Sequence, residues 1–150
     1  MFCRDFALGV GRQIKKDYVD SGQVMFVYRH YAFLGEESVW AAEAAECASD
    51  QGKFWEYHDA LYENWAGTNV GAYSYNNLVG LADIVELDLV QFSACLSDRK
   101  YVSRVRTESE FADDNGVTST PTVFINGEHV RGGEYGIFRD AIEAALAEAQ

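Results

Sequence analysis

The only proline in the 150-residue sequence, Pro121, limits how this part of the chain can fold. It lies between the turn-like segment VTST and the β-branched and aromatic run Thr122–Ile125. Proline has no amide proton, so it is tolerated at the start of a strand but not inside a central one. Asn126 and Gly127 follow this run and form the strongest two-residue signal for a β-hairpin. The pattern predicts a strand over 121–125, a tight turn, and a second short strand over Glu128–Arg131.

The rest of the chain is mainly helical in pattern. Apolar residues recur every four positions from Phe6 to Tyr18, which predicts a helix over about 6–19. The continuous apolar run Val24–Tyr28 predicts a strand that is buried on both faces. The other predicted helices span 38–66 with a break near Gly52, 74–85, 88–96, 98–111 and 135–149.

Composition argues against several classes of function. The net charge is −12 and the basic residues are not clustered, so a nucleic-acid partner is not expected. No apolar run is long enough to predict a membrane span. Cys3, Cys47 and Cys95 lie far apart without histidines at ligand spacing, and we therefore expect no metal site.

Three groups of segments are similar to a known family. They are FCRDF at 2–6, the stretches YRH at 28–30, SVWAAEAAEC at 38–47 and QGKFWEYHDAL at 51–61, and GVTSTPTVFING at 116–127. They resemble, in order, the end of the motif C-x-x-C-[KR]-x-F, the helical insertion, and the cis-proline loop with its hairpin in the DsbA-like family of thioredoxin-fold thiol:disulfide oxidoreductases.

The resemblance implies an α/β, thioredoxin-like fold in one domain over residues 1–150, with a helical insertion over about 36–115. In this family a first β-strand precedes the C-x-x-C motif and lies between the strands that correspond to Val24–Tyr28 and the strand after Pro121. We expect this chain to lack that strand. Two strand edges would then be unpaired, and we expect a strained monomer, a rearranged sheet, or association of copies of the chain through those edges.

The implied activity is thiol–disulfide exchange with cysteine-containing protein or peptide substrates, with glutathione as a further partner and without a cofactor. Cys3 takes the place of the second, resolving cysteine of the motif. Thr120 and Pro121 take the place of the loop that holds the substrate strand through backbone hydrogen bonds.

The alignment of Cys3 predicts a C-M-F-C motif whose first cysteine lies upstream of Met1. We therefore expect the chain as given to be incomplete or inactive as an oxidoreductase, and the upstream reading frame tests this. Members of the family usually act in the periplasm or another extracytoplasmic compartment. The start MFCRDF does not have the pattern of a signal peptide, so the sequence itself does not assign a compartment.

Several interpretations stay open at this stage. Cys47 and Cys95 are either a structural disulfide, as in some relatives, or two buried thiols. His30 either tunes the thiol environment or has a structural role. Aromatic residues of the helical region either line a peptide groove or form core, among them Trp40 and Tyr57. The whole chain is alternatively a redox-silent peptide-binding module or a glutathione-dependent isomerase of the kappa type.

Overall fold

The computed structural model describes residues 2–149 and divides the chain into two compact units. The first, called here the terminal unit, combines the residues up to Tyr28 with those from Val117 onward. The second, called the helical unit, is Arg29–Gly116. That the chain is one domain with a helical insertion over about 36–115 stays a prediction.

The terminal unit begins with a helix that changes type along its length. The α-helical segments α1 (Phe2–Asp5) and α2 (Arg12–Ile14) are each followed by a π-helical segment, over Phe6–Gly11 and Lys15–Val19. The helix predicted over 6–19 is therefore confirmed. An apolar stripe with a spacing of four residues drifts by about 40° per repeat around an α-helix. The wider π-helical turns compensate for this drift and keep the stripe on one side.

This stripe packs on the C-terminal helix, α8 (Tyr135–Glu148). Ile14 and Tyr18 form a buried cluster with Phe138 and Ile142, and Phe6 meets Phe138 edge to face. The Tyr18 hydroxyl donates a hydrogen bond of 2.6 Å to Glu143. This bond, together with burial, raises the pKa of Tyr18, so the hydroxyl remains a donor at ordinary pH.

The predicted hairpin is confirmed. Strands β1 (Val123–Ile125) and β2 (Glu128–Val130) pair antiparallel, with Val123 opposite Val130. Asn126 and Gly127 between them have φ values of 50° and 87°. Two consecutive positive φ angles are typical of the type I′ turn, whose twist matches that of the paired strands.

The segment Val24–Tyr28 forms neither a strand nor a helix, so the strand prediction is wrong. Val24 and Phe26 pack against the same core as β1, whereas Met25 and Val27 are 85% and 58% exposed. A strand needs a neighbour that completes its ladder, and the sheet formed by the described residues consists of β1 and β2. The alternating exposure is that of a segment covered on one face, not on two.

The helical unit contains five helices among the described residues, and most of their boundaries follow the sequence signals. They are α3 (Glu36–Ser49), α4 (Phe54–Glu63), α5 (Tyr75–Ile84), α6 (Leu89–Ser97) and α7 (Val102–Asp114). The predicted break at Gly52 is confirmed, and its φ of 72° suits glycine. The Asp88 side chain caps α6 by accepting the N–H of Gln91 at 2.9 Å.

One predicted boundary is wrong. Helix α7 begins at Val102 rather than near Asp98, which instead ends α6. The reason lies at the next residue, Arg99, whose φ of 52° is left-handed and breaks the helical path.

Helix α3 lies at the centre of the helical unit and contacts each of the other four helices. Every residue from Ala42 to Ala48 is buried. The alanines among them let large side chains of the neighbouring helices approach closely, including Tyr57, Leu78 and Phe92. Tyr57 is thus part of the core, and its hydroxyl donates to the Leu78 carbonyl at 2.8 Å.

The charged residues of this buried stretch have ionic partners. Glu43 accepts hydrogen bonds from the guanidinium of Arg99, with one N···O distance of 2.8 Å. Glu46 bonds Nε2 of His30 and pairs with Arg104, both at 2.9 Å. His30 also donates its backbone N–H to Glu108 at 2.8 Å. These contacts give His30 a structural role, because they tie the start of the helical unit to α3 and α7.

The Glu43–Arg99 pair yields a stability test. The Glu43 side chain is 1% exposed, so Arg99→Leu leaves a buried carboxylate without its cation. We expect the free energy of unfolding in urea to fall by about 3 kcal/mol. In the control Arg139→Leu, the lost pair with Asp140 is exposed, and the expected change is below about 1 kcal/mol. Equal losses in the two variants would contradict this assignment.

Candidate functional site

Cys3 lies in the first turn of α1, directly after the helix begins at Phe2. Its side chain is partly exposed, and within residues 2–149 it is the one free cysteine. Three residues further on, Phe6 packs its ring on Phe138 at a centroid distance of 5.6 Å. This contact fixes the start of the helix, and with it Cys3, on the core of the terminal unit.

The second predicted element of the site, the Thr120–Pro121 loop, belongs to the same unit. The peptide bond between these residues is cis, as the resemblance implies. The Thr122 hydroxyl donates to the Ser119 carbonyl at 2.6 Å and closes the loop on itself. Val123, the next residue, packs against the cluster that also contains the stripe of the first helix. The cysteine-bearing helix and the loop are therefore anchored to one core.

Cys47 and Cys95 form a disulfide, with an S–S distance of 2.00 Å and a Cα–Cα distance of 5.9 Å. The bridge joins α3 to α6, and the two residues are 1% and 9% exposed. Of the two alternatives that the sequence left open, the structure contains the disulfide. Because these sulfurs are buried and bonded to each other, they are poorly placed to exchange with substrates.

A polar cluster that the sequence did not reveal lies beside this bridge. Asp50, just after α3, accepts hydrogen bonds from Lys100 at 2.8 Å and from the Tyr101 hydroxyl. Burial raises the pKa of Asp50, but the two hydrogen bonds outweigh it and hold the pKa below its usual value. A lowered carboxyl pKa stabilises the fold above the unfolded pKa, and this contribution disappears as the pH falls through the folded value.

Across positions 2–149, no group of three or more His, Cys, Asp or Glu side chains is arranged to hold a metal ion. Within the same range, no helix is long and apolar enough to cross a bilayer.

A cysteine on the first helix, a cis-proline loop and a β-hairpin on one core are the features expected of a thioredoxin-fold protein. A family model described as thioredoxin matches residues 1–144, and the chain belongs to this family, within its DsbA-like members.

Two comparisons connect the chain with disulfide chemistry. The oxidised form of BdbD from Bacillus subtilis superimposes with a TM-score of 0.87 at 26% identity, over 97% of this chain and 80% of that one. Disulfide bond formation protein D from Bacillus subtilis is also 26% identical, over 96% of this chain and 67% of its own length. The predicted thioredoxin-like fold with its helical insertion is thereby confirmed.

A third relative is much longer than this chain. Na(+)/H(+) antiporter NhaA 1 of Salinispora arenicola is 35% identical over 138 residues, which are 91% of this chain but only 20% of the antiporter. This chain therefore corresponds to one fifth of that relative's length.

The disulfide yields a second stability test. It links residues 48 positions apart, and the chain-entropy estimate for such a loop is about 4 kcal/mol. We expect the double variant Cys47→Ala/Cys95→Ala to lose roughly this free energy of unfolding, measured by circular dichroism in urea. The control Cys3→Ser should unfold like the wild type, since Cys3 forms no bridge in the structure. An unchanged midpoint in the double variant would contradict the bridge.

Proposed function

We propose that this chain takes part in thiol–disulfide exchange with cysteine-containing protein or peptide substrates, and that Cys3 supplies its reacting thiol. The observation that carries the proposal is the division among the three cysteines. Cys47 and Cys95 are buried in a disulfide, whereas Cys3 is free and partly exposed at the start of a helix. The relative from Bacillus subtilis named as a disulfide bond formation protein supports the same chemistry.

The reaction proposed for Cys3 is nucleophilic exchange. Its thiolate attacks one sulfur of a disulfide, a new S–S bond forms, and the other sulfur leaves as a thiolate that takes up the proton released from Cys3. As the resolving cysteine, Cys3 attacks a mixed disulfide that joins the first cysteine of the C-x-x-C motif to the substrate.

We assign the Thr120–Pro121 loop to substrate binding. It leads directly into β1 and is closed by the Thr122–Ser119 hydrogen bond. An extended peptide next to such a loop can bind through its main chain, as in other cases of strand addition. Phe124 on β1 is 47% exposed and offers an apolar contact on the same element.

Glutathione is the expected small thiol partner, because its disulfide is a substrate for any accessible thiolate.

We propose an extracytoplasmic location, which the Cys47–Cys95 disulfide supports since such bonds persist in oxidising compartments. The comparisons favour neither the redox-silent binding module nor the kappa-type isomerase.

The thiol assignment is tested by trapping. The purified chain is incubated with glutathione disulfide and analysed by mass spectrometry without reductant. We expect the wild type to gain one glutathionyl group through Cys3 and to release one glutathione thiolate. The same experiment with a disulfide-blocked cysteine peptide should give the corresponding peptide adduct.

Cys3→Ser is the matched control and should form neither adduct. Adducts on Cys3→Ser at the wild-type level would show that Cys47 or Cys95 reacts instead, and would refute the assignment. A wild-type chain that forms no adduct would refute the proposed chemistry altogether.

We also propose that copies of this chain associate through Val24–Tyr28 and β1. The segment carries no charge, and Met25 and Val27 are exposed. Natural proteins usually protect an exposed sheet edge with a lysine or a proline, and this apolar segment contains neither.

Light scattering after size exclusion tests this association. The wild type should elute as a dimer or a larger species, and Val27→Lys should shift it to the monomer. Val90→Lys is the control, because Val90 is 83% exposed but lies on α6 in the other unit. A monomeric wild type, or equal effects of the two lysines, would contradict the proposal.

A further inference from the structure

The helical unit contains a pocket that shares no residue with Cys3 or the Thr120–Pro121 loop. Its volume is about 380 Å³, near the lower end of the range for small-molecule sites. Elements α3, α5 and α6 and the turn after α6 form it. The lining residues are Trp40, Tyr75, Leu78, Leu96, Ser97 and Arg99.

The walls of this pocket suit a flat apolar group. Leu78 and Leu96 are 1% and 6% exposed and provide an aliphatic floor. Trp40 is half-buried and Tyr75 is 45% exposed, so two aromatic rings stand at the open side. Ring–ring contacts between such side chains and a bound aromatic group are favourable beyond the area that they bury.

The polar groups at the rim are hydrogen-bond donors. The phenolic oxygen of Tyr75 accepts the Ser97 hydroxyl at 3.3 Å, which leaves the Tyr75 O–H free to donate to another group. Hydrogen bonds from Ser97 and Ser93 to this oxygen lower the pKa of Tyr75, in agreement with its accepting role. Arg99 uses Nε and Nη2 to bind Glu43, so Nη1 is not engaged in that pair.

The charge at the rim is balanced before any ligand binds. Arg99 is paired with Glu43, and the negative charge of Glu36 acts on it as well. The chain as a whole carries a net charge of −12. An anionic ligand would therefore meet repulsion, whereas a neutral acceptor would use the two donors without an electrostatic cost.

The backbone and the side chain of Arg99 are both held in place at the edge of the pocket. Its φ of 52° falls in the left-handed region, which glycine or asparagine adopts at lower cost. At the end of α6 this conformation is held by the backbone, since Arg99 N–H donates to the Leu96 carbonyl and Lys100 N–H to the Cys95 carbonyl, both at 3.2 Å. The guanidinium of Arg99 is held separately by buried Glu43.

From these observations we infer that the pocket is a binding site for a small, uncharged aromatic ligand that carries a carbonyl acceptor, such as an aromatic carboxamide. The ring lies between Trp40 and Tyr75 above the leucine floor. The carbonyl oxygen accepts hydrogen bonds from the Tyr75 hydroxyl and the Arg99 guanidinium. The same chemistry is available in a free aromatic amide and in the amide of a phenylalanine residue.

The test is a titration of the ¹⁵N-labelled full chain, followed by NMR, with benzamide and N-acetyl-L-phenylalaninamide as probes. We expect saturable shifts of the Trp40 indole N–H and of the Ser97 and Arg99 amides for at least one probe. The indole signals of Trp55 and Trp65, which do not line the pocket, are internal controls and should not move. The probe that binds more tightly identifies the source of the amide.

Two matched comparisons examine the chemistry. Tyr75→Phe keeps the ring but removes the donor and should weaken binding about fivefold. Tyr31→Phe removes a hydroxyl that bonds Asp113 outside the pocket and should leave binding unchanged. Benzoate has the shape of benzamide with a negative charge and should bind at least about fivefold more weakly.

Three results would overturn the inference. One is the absence of saturable binding by both probes, or equal shifts at all three tryptophans. Another is unchanged affinity in Tyr75→Phe, which would remove the proposed donor. The last is benzoate binding as tightly as benzamide, which would show that the site prefers an anion.

Discussion

The burial of one stretch of α3 on all sides is the constraint on which the helical unit depends. Seven consecutive residues, Ala42–Ala48, are shielded from solvent, so each must be small, paired or bonded. Alanine satisfies this by size, and Glu43 and Glu46 satisfy it through arginine and histidine partners. Cys47 satisfies it through the bridge to α6. A charge placed in this stretch without a partner would carry the full cost of desolvation.

The two units divide the sulfur chemistry between them. The helical unit holds its cysteines in a bond that links two helices, and the terminal unit presents a free thiol in the first turn of its helix. This division keeps the structural bond apart from the exchange that we propose for Cys3. A buried disulfide is hard for an external thiolate to reach, whereas a partly exposed cysteine at a helix start is accessible.

Features encoded by neighbouring residues could be predicted from the sequence. The hairpin at Asn126–Gly127 and the break at Gly52 depend on φ angles that these residues favour, and Asp88 caps its own helix. Long-range contacts could not be predicted in this way. The Val24–Tyr28 segment has strand composition, but a strand also needs a paired neighbour. Likewise, the ion pair of Arg99 depends on Glu43, which lies 56 positions away.

The hairpin turn also sets a limit on how long the terminal unit keeps its native covalent structure. In an exposed Asn-Gly pair, the glycine amide attacks the asparagine side chain with little steric hindrance, and ammonia is lost. The resulting succinimide opens mainly to an isoaspartyl linkage, which adds a backbone atom to a turn whose register places Val123 opposite Val130. β1 follows the Thr120–Pro121 loop closely in the chain. Slow isoaspartyl formation at Asn126 would therefore disturb the substrate-binding loop that we propose.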